Sequence, residues 1–205
     1  MRNTDNAYDV CTWAPEEGCR NCSLGVHLKC RFERRYLLHF VATFGAFALP
    51  GSIGVVESGY GWYLLGWLAF ALVFFEFWES RILCSHCPYY AEPSVILHCI
   101  ANYGTLKLWD YRPEPMSRCE KVQLWIGFAI LGGYPFPFML LGGAYLWALV
   151  TLWALVTFFW TLRLYTCAKC VNLSCPLNSV PQDIADAYLA RNPAMRDAWQ
   201  ETQEG

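Results

Sequence analysis

Apolar positions along this chain gather into two long blocks, roughly 36–80 and 122–164, flanked and separated by polar stretches. Four runs of about 20 residues can be drawn within them: Tyr36 to Val56, Tyr60 to Trp78, Val122 to Leu141 and Ala144 to Leu162. Each is long enough to cross a hydrocarbon core of about 30 Å as a helix. The pattern predicts an all-α integral membrane protein with four transmembrane helices arranged as two hairpins. The helices of each hairpin (36–80 and 122–164) are joined by only a few residues, so the polar mass falls into an arm (1–35), a loop (81–121) and a tail (165–205). With four crossings these three segments share one face, and the turns near Glu57 to Tyr60 and Leu141 to Ala144 lie on the other.

Charge gives the two faces a direction. All fifteen lysines and arginines fall in the arm, the loop and the tail or beside them, with Arg34, Arg35, Arg81, Lys121 and Arg163 at the membrane edge, and the opposite turns carry none. The positive-inside bias therefore makes the first face, with both termini, cytoplasmic, in the cell inner (cytoplasmic) membrane. A hydrophobic content of 56% with ten Trp suits a bilayer-embedded chain better than a globular core of 205 residues. A net charge of −2, with the basic residues serving topology, argues against nucleic acid as a partner. Met1 to Val10 is polar, so no signal peptide is read, and the first crossing is expected to act as an uncleaved signal anchor.

Candidate chemistry lies in the cysteines. All eleven fall on the predicted cytoplasmic face: Cys11, Cys19, Cys22 and Cys30 in the arm, Cys84, Cys87, Cys99 and Cys119 in the loop, and Cys167, Cys170 and Cys175 in the tail. An odd count in a reducing compartment points to metal ligands or redox thiols rather than to a disulfide framework. Three Cys-x-x-Cys pairs occur, Cys19 with Cys22, Cys84 with Cys87 and Cys167 with Cys170. That spacing turns two thiolates toward one centre and leaves backbone amides free to point at the sulfurs. Cys87-Pro88 and Cys175-Pro176 match the Cys-Pro that ends bacterial cluster-binding runs, so the expectation is two or three iron–sulfur clusters, of the [4Fe-4S] kind, on these eleven cysteines. Tyr89, Tyr90, Phe32 and Trp109 are candidates to shield such a cluster from water. Zinc on the same cysteines is the alternative, and a reactive dithiol at Cys84 and Cys87 a third.

Spacing alone does not partition the ligands. The arm cysteines could fill one four-ligand site and the loop cysteines another, while Cys167, Cys170 and Cys175 lack a fourth member that His27, His86, His98 or a distant cysteine would supply. For each histidine a surface or hydrogen-bonding role is the simpler expectation. No Cys-x-x-Cys-His occurs, and His39 is the only histidine within a crossing, so neither covalent haem nor a bis-histidine membrane haem has its ligands. No phosphate-binding glycine loop or dinucleotide fingerprint is present.

The hairpins read as a diverged duplication. Each runs from a cysteine through a helix, a proline and a second helix to an arginine and a Cys-x-x-Cys, with 34 residues from Pro50 to Cys84 and 32 from Pro135 to Cys167. Units of two crossings keep their orientation, so an axis along the membrane normal would relate them. Both prolines should kink their helices or end them early. Gly132, Gly133, Pro135 and Pro137 make the third crossing the least regular, with a helix to Gly133 followed by non-helical chain. Glu76 and Glu79 share a face near the cytoplasmic end of the second crossing. They serve either as a carboxylate beside a quinone pocket or, more simply, as interfacial partners of Arg81 or Arg163. Past Pro176 the tail reads as a short amphipathic helix, capped by Ser179 and carrying Ile184 and Tyr188 on one face; Asn192-Pro193 interrupts it before Met195 and Trp199.

Cys84-Ser-His-Cys87-Pro88, and Cys167-Ala-Lys-Cys170 with Cys175-Pro176, on the cytoplasmic face of four helices resemble the membrane polyferredoxin-like proteins of the NapH and NosR type. That family spaces its membrane-proximal cysteines by three residues before the proline; here the intervals are two and four. The resemblance covers topology and two short motifs. It implies electron transfer between quinol and other redox subunits. The function expected from the sequence is thus a membrane-anchored iron–sulfur electron-transfer protein, a subunit of a redox complex at the cytoplasmic face, coupled to quinone. A zinc-stabilised membrane adaptor or assembly protein without redox activity is the alternative.

Overall fold

The computed structural model describes residues 6, 8–19 and 22–204; the rest of the polar arm's start, and Arg20, lie outside the described residues. These residues are helical and contain no strand, the one pairing of extended chain being an antiparallel bridge between Ile96 and Leu106. In chain order the main helices are α1 (Arg34–Glu57), α2 (Tyr63–Val73), α3 (Arg118–Gly133), α4 (Pro135–Leu141), α5 (Tyr145–Thr161), α6 (Gln182–Ala190) and α7 (Pro193–Glu204). Three stretches are long and apolar enough to cross a membrane: Arg34–Glu57, Arg118–Leu141 and Tyr145–Lys169. The run drawn as the second crossing is also helical, since α2 continues through a π-helical segment, Phe74–Glu79, into Ser80–Ile82.

The prolines act differently from one another. α1 passes through Pro50 and ends at Glu57, whereas the sequence suggested a kink or an early end. In a bilayer no water replaces lost helix bonds, so ending the helix there would orphan more backbone groups than the single carbonyl that proline leaves unpaired. Pro135 does interrupt its helix, but the chain resumes at once as α4 instead of continuing as non-helical chain. Without an N–H, Pro135 leaves the carbonyl of Leu131 unpaired, and the indole of Trp67, on α2, donates to that oxygen at 2.9 Å. The shielding of a freed backbone group expected from the sequence is therefore supplied by one buried tryptophan.

Helix pairing follows the duplication. α1 packs chiefly against α5, and the π-helical segment Phe74–Glu79, like α2, packs against α3. Exchanging the two hairpins exchanges these pairings, as an axis along the membrane normal requires. Small residues allow the close approaches: a Cβ on Gly54 would stand 2.7 Å from Trp147 Cβ, and one on Gly142 would stand 2.6 Å from the carbonyl oxygen of Ser58. Phe47, Phe74 and Leu124 are buried at the centre of the bundle.

A second core lies at one end of the bundle. Leu24, Leu28, Tyr89, Leu97, Val171, Tyr188 and Met195 pack there around the cysteine motifs. The tail covers this layer, as its apolar pattern suggested: Tyr188 and Met195 are buried, and the Trp199 indole donates to the Pro113 carbonyl at 3.1 Å. Pro181, not Ser179, precedes α6; the Ser179 hydroxyl instead donates to the Arg163 carbonyl at 3.2 Å.

Candidate metal centres

The two halves present their Cys-x-x-Cys motifs on matching backbone. Each descending helix widens into a π-helical segment, Phe74–Glu79 in one half and Leu162–Thr166 in the other. Each then reaches a 3-10 turn that begins at the first cysteine, Cys84–His86 and Cys167–Lys169. The closing cysteines have nearly the same dihedrals, φ −85° and ψ 134° at Cys87 against φ −83° and ψ 133° at Cys170. A π turn adds a residue to the helix, and such segments concentrate at functional sites. The halves are tied to each other where they meet: Asn172 Nδ2, two residues past Cys170, donates to the Leu83 carbonyl just before Cys84 at 3.2 Å.

This folding brings six cysteines to one cavity of about 130 Å³: Cys84, Cys87 and Cys99 from the loop with Cys167, Cys170 and Cys175 from the tail. Cys99 is carried on a small loop closed by the Leu97 amide on the Thr105 carbonyl at 2.9 Å, and Gly104 turns that loop with φ +93°. Neighbouring backbone amides favour the charged form of four of the thiols: that of Tyr89 acts on Cys87, those of Ile100, Ala101 and Asn102 on Cys99, that of Asn172 on Cys170, and those of Leu177 and Asn178 on Cys175. Asn102 Nδ2 adds a contact to Cys84 Sγ at 3.5 Å. Donors of this kind favour thiolate over thiol and tune a bound metal group.

Burial works against them. Desolvation is the largest influence on these five thiols: it pushes Cys170 and Cys175 up to about 12 and also raises Cys84, Cys87 and Cys99. A thiol nucleophile needs the opposite shift, so burial disfavours a reactive dithiol at Cys84 and Cys87. Six cysteines around one cavity are donors of the type that metal groups take. Lys29, itself buried, lies close enough to Cys167 and Cys170 for their charges to act on its ammonium group. Among the described residues, however, no three Cys, His, Asp or Glu side chains form a group that could hold a single metal ion.

The arm cysteines stand apart. Cys11, Cys19, Cys22 and Cys30 line a second cavity of about 150 Å³. Burial, then the charges of the other three, push Cys30 up to about 12. Arg191 Nη1 approaches Cys22 Sγ at 2.9 Å and Arg31 Nη2 approaches Cys19 Sγ at 3.5 Å, so two cations face these sulfurs. The tail holds the arm in place: the Cys11 amide donates to Asn192 Oδ1 at 2.7 Å, and the hydroxyls of Thr12 and Tyr188 meet at 2.8 Å. Tyr89 stands between the two cavities. Its hydroxyl donates to the Lys29 carbonyl at 2.6 Å, and, after burial, the charges acting on it are those of Cys99, Cys87 and Cys170 on one side and Cys30 on the other.

Other candidates fall outside both cavities. Cys119 is exposed at the start of α3, where its sulfur meets Gln123 Nε2 at 3.2 Å. His27 is exposed. His86 Nδ1 lies 2.6 Å from the Glu114 carbonyl with Nε2 facing Arg112 and Glu120, and His98 Nδ1 faces Glu92 Oε2 at 2.8 Å. In the first cavity the tail cysteines thus lie with loop cysteines rather than with a histidine. Tyr89 and Tyr90 are buried beside the cysteines, whereas Trp109 is exposed under the Arg81 guanidinium. Glu76 and Glu79 form no ion pair with Arg81 or Arg163, contrary to the simpler expectation; Glu79 is buried and its Oε2 has no hydrogen-bond partner. The sequence reading missed Asn102, Asn172 and Lys29, whose only signal was adjacency to a cysteine motif. Comparison with family models, with curated protein sequences and with solved structures finds no match.

Proposed function

We propose that this chain is a membrane-anchored iron–sulfur electron-transfer protein that works as a subunit of a redox complex and exchanges electrons with membrane quinone. The single observation that carries this reading is the cavity that six cysteines from both hairpins line. A structural zinc site takes four ligands, so six cysteines at one cavity favour a polynuclear cluster over a lone zinc ion. The arm cysteines supply a second centre, and Tyr89 lies between the two.

In this reading four helices, including Tyr63–Ile82, cross the membrane and the cysteine layer faces the cytoplasm, where every lysine and arginine lies. Clusters bound there would carry single electrons along the membrane surface. Cys84, Cys87, Cys99, Cys167, Cys170 and Cys175 would hold one centre, and Cys11, Cys19, Cys22 and Cys30 the other. The chain's own part is to keep water away, through Tyr89, Tyr90 and the tail, and to fix donors at the sulfurs. Iron, zinc and acid-labile sulfide quantified on one anaerobic preparation test the proposal. Iron and sulfide in equal amounts, with visible absorption bleached by dithionite, are expected. Stoichiometric zinc without sulfide would instead establish a zinc-stabilised adaptor.

A further inference from the structure

The cavity that receives the six cysteines does not stop at the sulfurs. Its wall continues into the bundle along Phe40, Phe44, Phe75, Phe128, Phe158 and Phe159, which come from α1, α3, α5 and the π-helical segment. These rings meet one another edge to face, with Phe40 and Phe44 centroids 5.8 and 6.0 Å from that of Phe158 and Phe44 6.3 Å from Phe75. Most are only half-buried, so this part of the wall reaches the lipid-facing surface. It offers no sulfur, nitrogen or oxygen ligand, so an inorganic cluster has nothing to bind there. Besides the cysteines the lining carries Glu79, Thr166, Asn102 and Asn172; of these Glu79 alone is a carboxyl, 6% exposed, with Oε2 unpartnered.

A buried carboxyl oxygen without a donor is destabilising, because it has lost its water and gained no partner. Such a group persists where a ligand completes it. What completes it here must enter from lipid, pack against aromatic faces and edges, and carry an O–H that reaches Glu79. We infer that this cavity binds the head of a lipid-soluble hydroquinone, its ring among the phenylalanines and one hydroxyl donating to the Glu79 carboxyl. A flat ring satisfies six phenylalanines better than a flexible acyl chain does, because aromatic pairs gain from defined edge and face geometry. The site rests on the proposed electron-transfer reading for its purpose, but its existence depends only on the cavity and on Glu79. The π-helical segment explains how the carboxyl comes to be there: the widened turn from Phe74 to Glu79 sets Phe75 and Glu79 on the same cavity, four residues apart.

The test uses the full-length protein in detergent, purified anaerobically, and a fluorescent hydroxyquinoline N-oxide as the hydroquinone analogue. Saturable quenching with one site per chain is expected, with displacement by a short-tailed hydroquinone. Glu79→Leu should weaken probe binding at least about tenfold, as loss of one hydrogen bond to a carboxyl group implies, whereas Glu76→Gln should leave it unchanged. Should Glu79→Leu fail to fold, Phe158→Trp fills the ring end without touching the carboxyl and should abolish binding. Unsaturable quenching, or equal affinity in the Glu79→Leu and Phe158→Trp proteins, overturns the site. Displacement by dodecanol as effective as by the hydroquinone would mean an ordinary lipid occupies it, which also overturns the inference. Iron content is measured on the same samples: iron-free protein that still binds the probe removes the electron-transfer reading and keeps the site, and iron-loaded protein that does not bind it does the reverse.

Discussion

Trp67 illustrates how much a single side chain settles in this molecule. Its indole is the partner of a carbonyl that proline, four residues later in another helix, has deprived of its usual donor. Trp67→Phe keeps most of the apolar volume but removes that N–H, so it should destabilise the detergent-solubilised protein by about 1–3 kcal/mol. Thermal melting measures this, and the same substitution at the exposed Trp153 should be silent. The cysteines divide just as sharply. Cys170→Ser removes a sulfur that lines the six-cysteine cavity, and should lower bound iron and sulfide. Cys119→Ser changes an exposed sulfur outside both cavities and should leave metal content intact. Metal analysis of the two variants side by side checks the assignment.

At the scale of elements, the start of α3 shows local sequence acting with tertiary contacts. Ser117 and Glu120 form a capping box: the Glu120 amide donates to Ser117 Oγ at 3.2 Å and the Ser117 amide to Glu120 Oε2 at 2.8 Å. Ser117→Ala should cost about 1 kcal/mol. Glu120 also takes a hydrogen bond from Arg112 and faces His86 Nε2 at 3.4 Å. The capping box is a four-residue signal in the sequence. Arg112 and His86 are not, since they reach Glu120 only because the loop 81–121 folds back over the helix.

Over the whole molecule the governing arrangement is a bundle with short turns at one end and a cysteine-rich layer at the other. Four crossings make a concrete prediction about sidedness. In sealed inverted and right-side-out vesicles, a membrane-impermeant maleimide should reach Cys119 only from the cytoplasmic side. A cysteine placed at Tyr60 in a Cys119→Ser background should react only from the opposite side. Labelling of both from one side would leave an even number of crossings between them, where four crossings require one, and would dismantle the proposed topology. The motifs at Cys84 and Cys167 line one cavity, so the two hairpins share it.

Hydropathy and charge, which are properties of consecutive residues, were enough to find the helices, the two short turns and the concentration of cysteines in the polar segments. Even the repeat was visible, because proline and cysteine keep their spacing in both halves. The grouping of the ligands was not. Cys99 and Cys170 are far apart in sequence and meet because α1 lies on α5 and the second crossing lies on α3, pairings decided by ring contacts and by where Gly54 and Gly142 let backbones approach. The isolation of Glu79 was likewise beyond the sequence, which offered Arg81 two residues away as an obvious partner. Only the packed bundle shows that carboxyl turned inward, because the direction of a side chain on a membrane helix is fixed by its neighbours and not by the residues that precede or follow it.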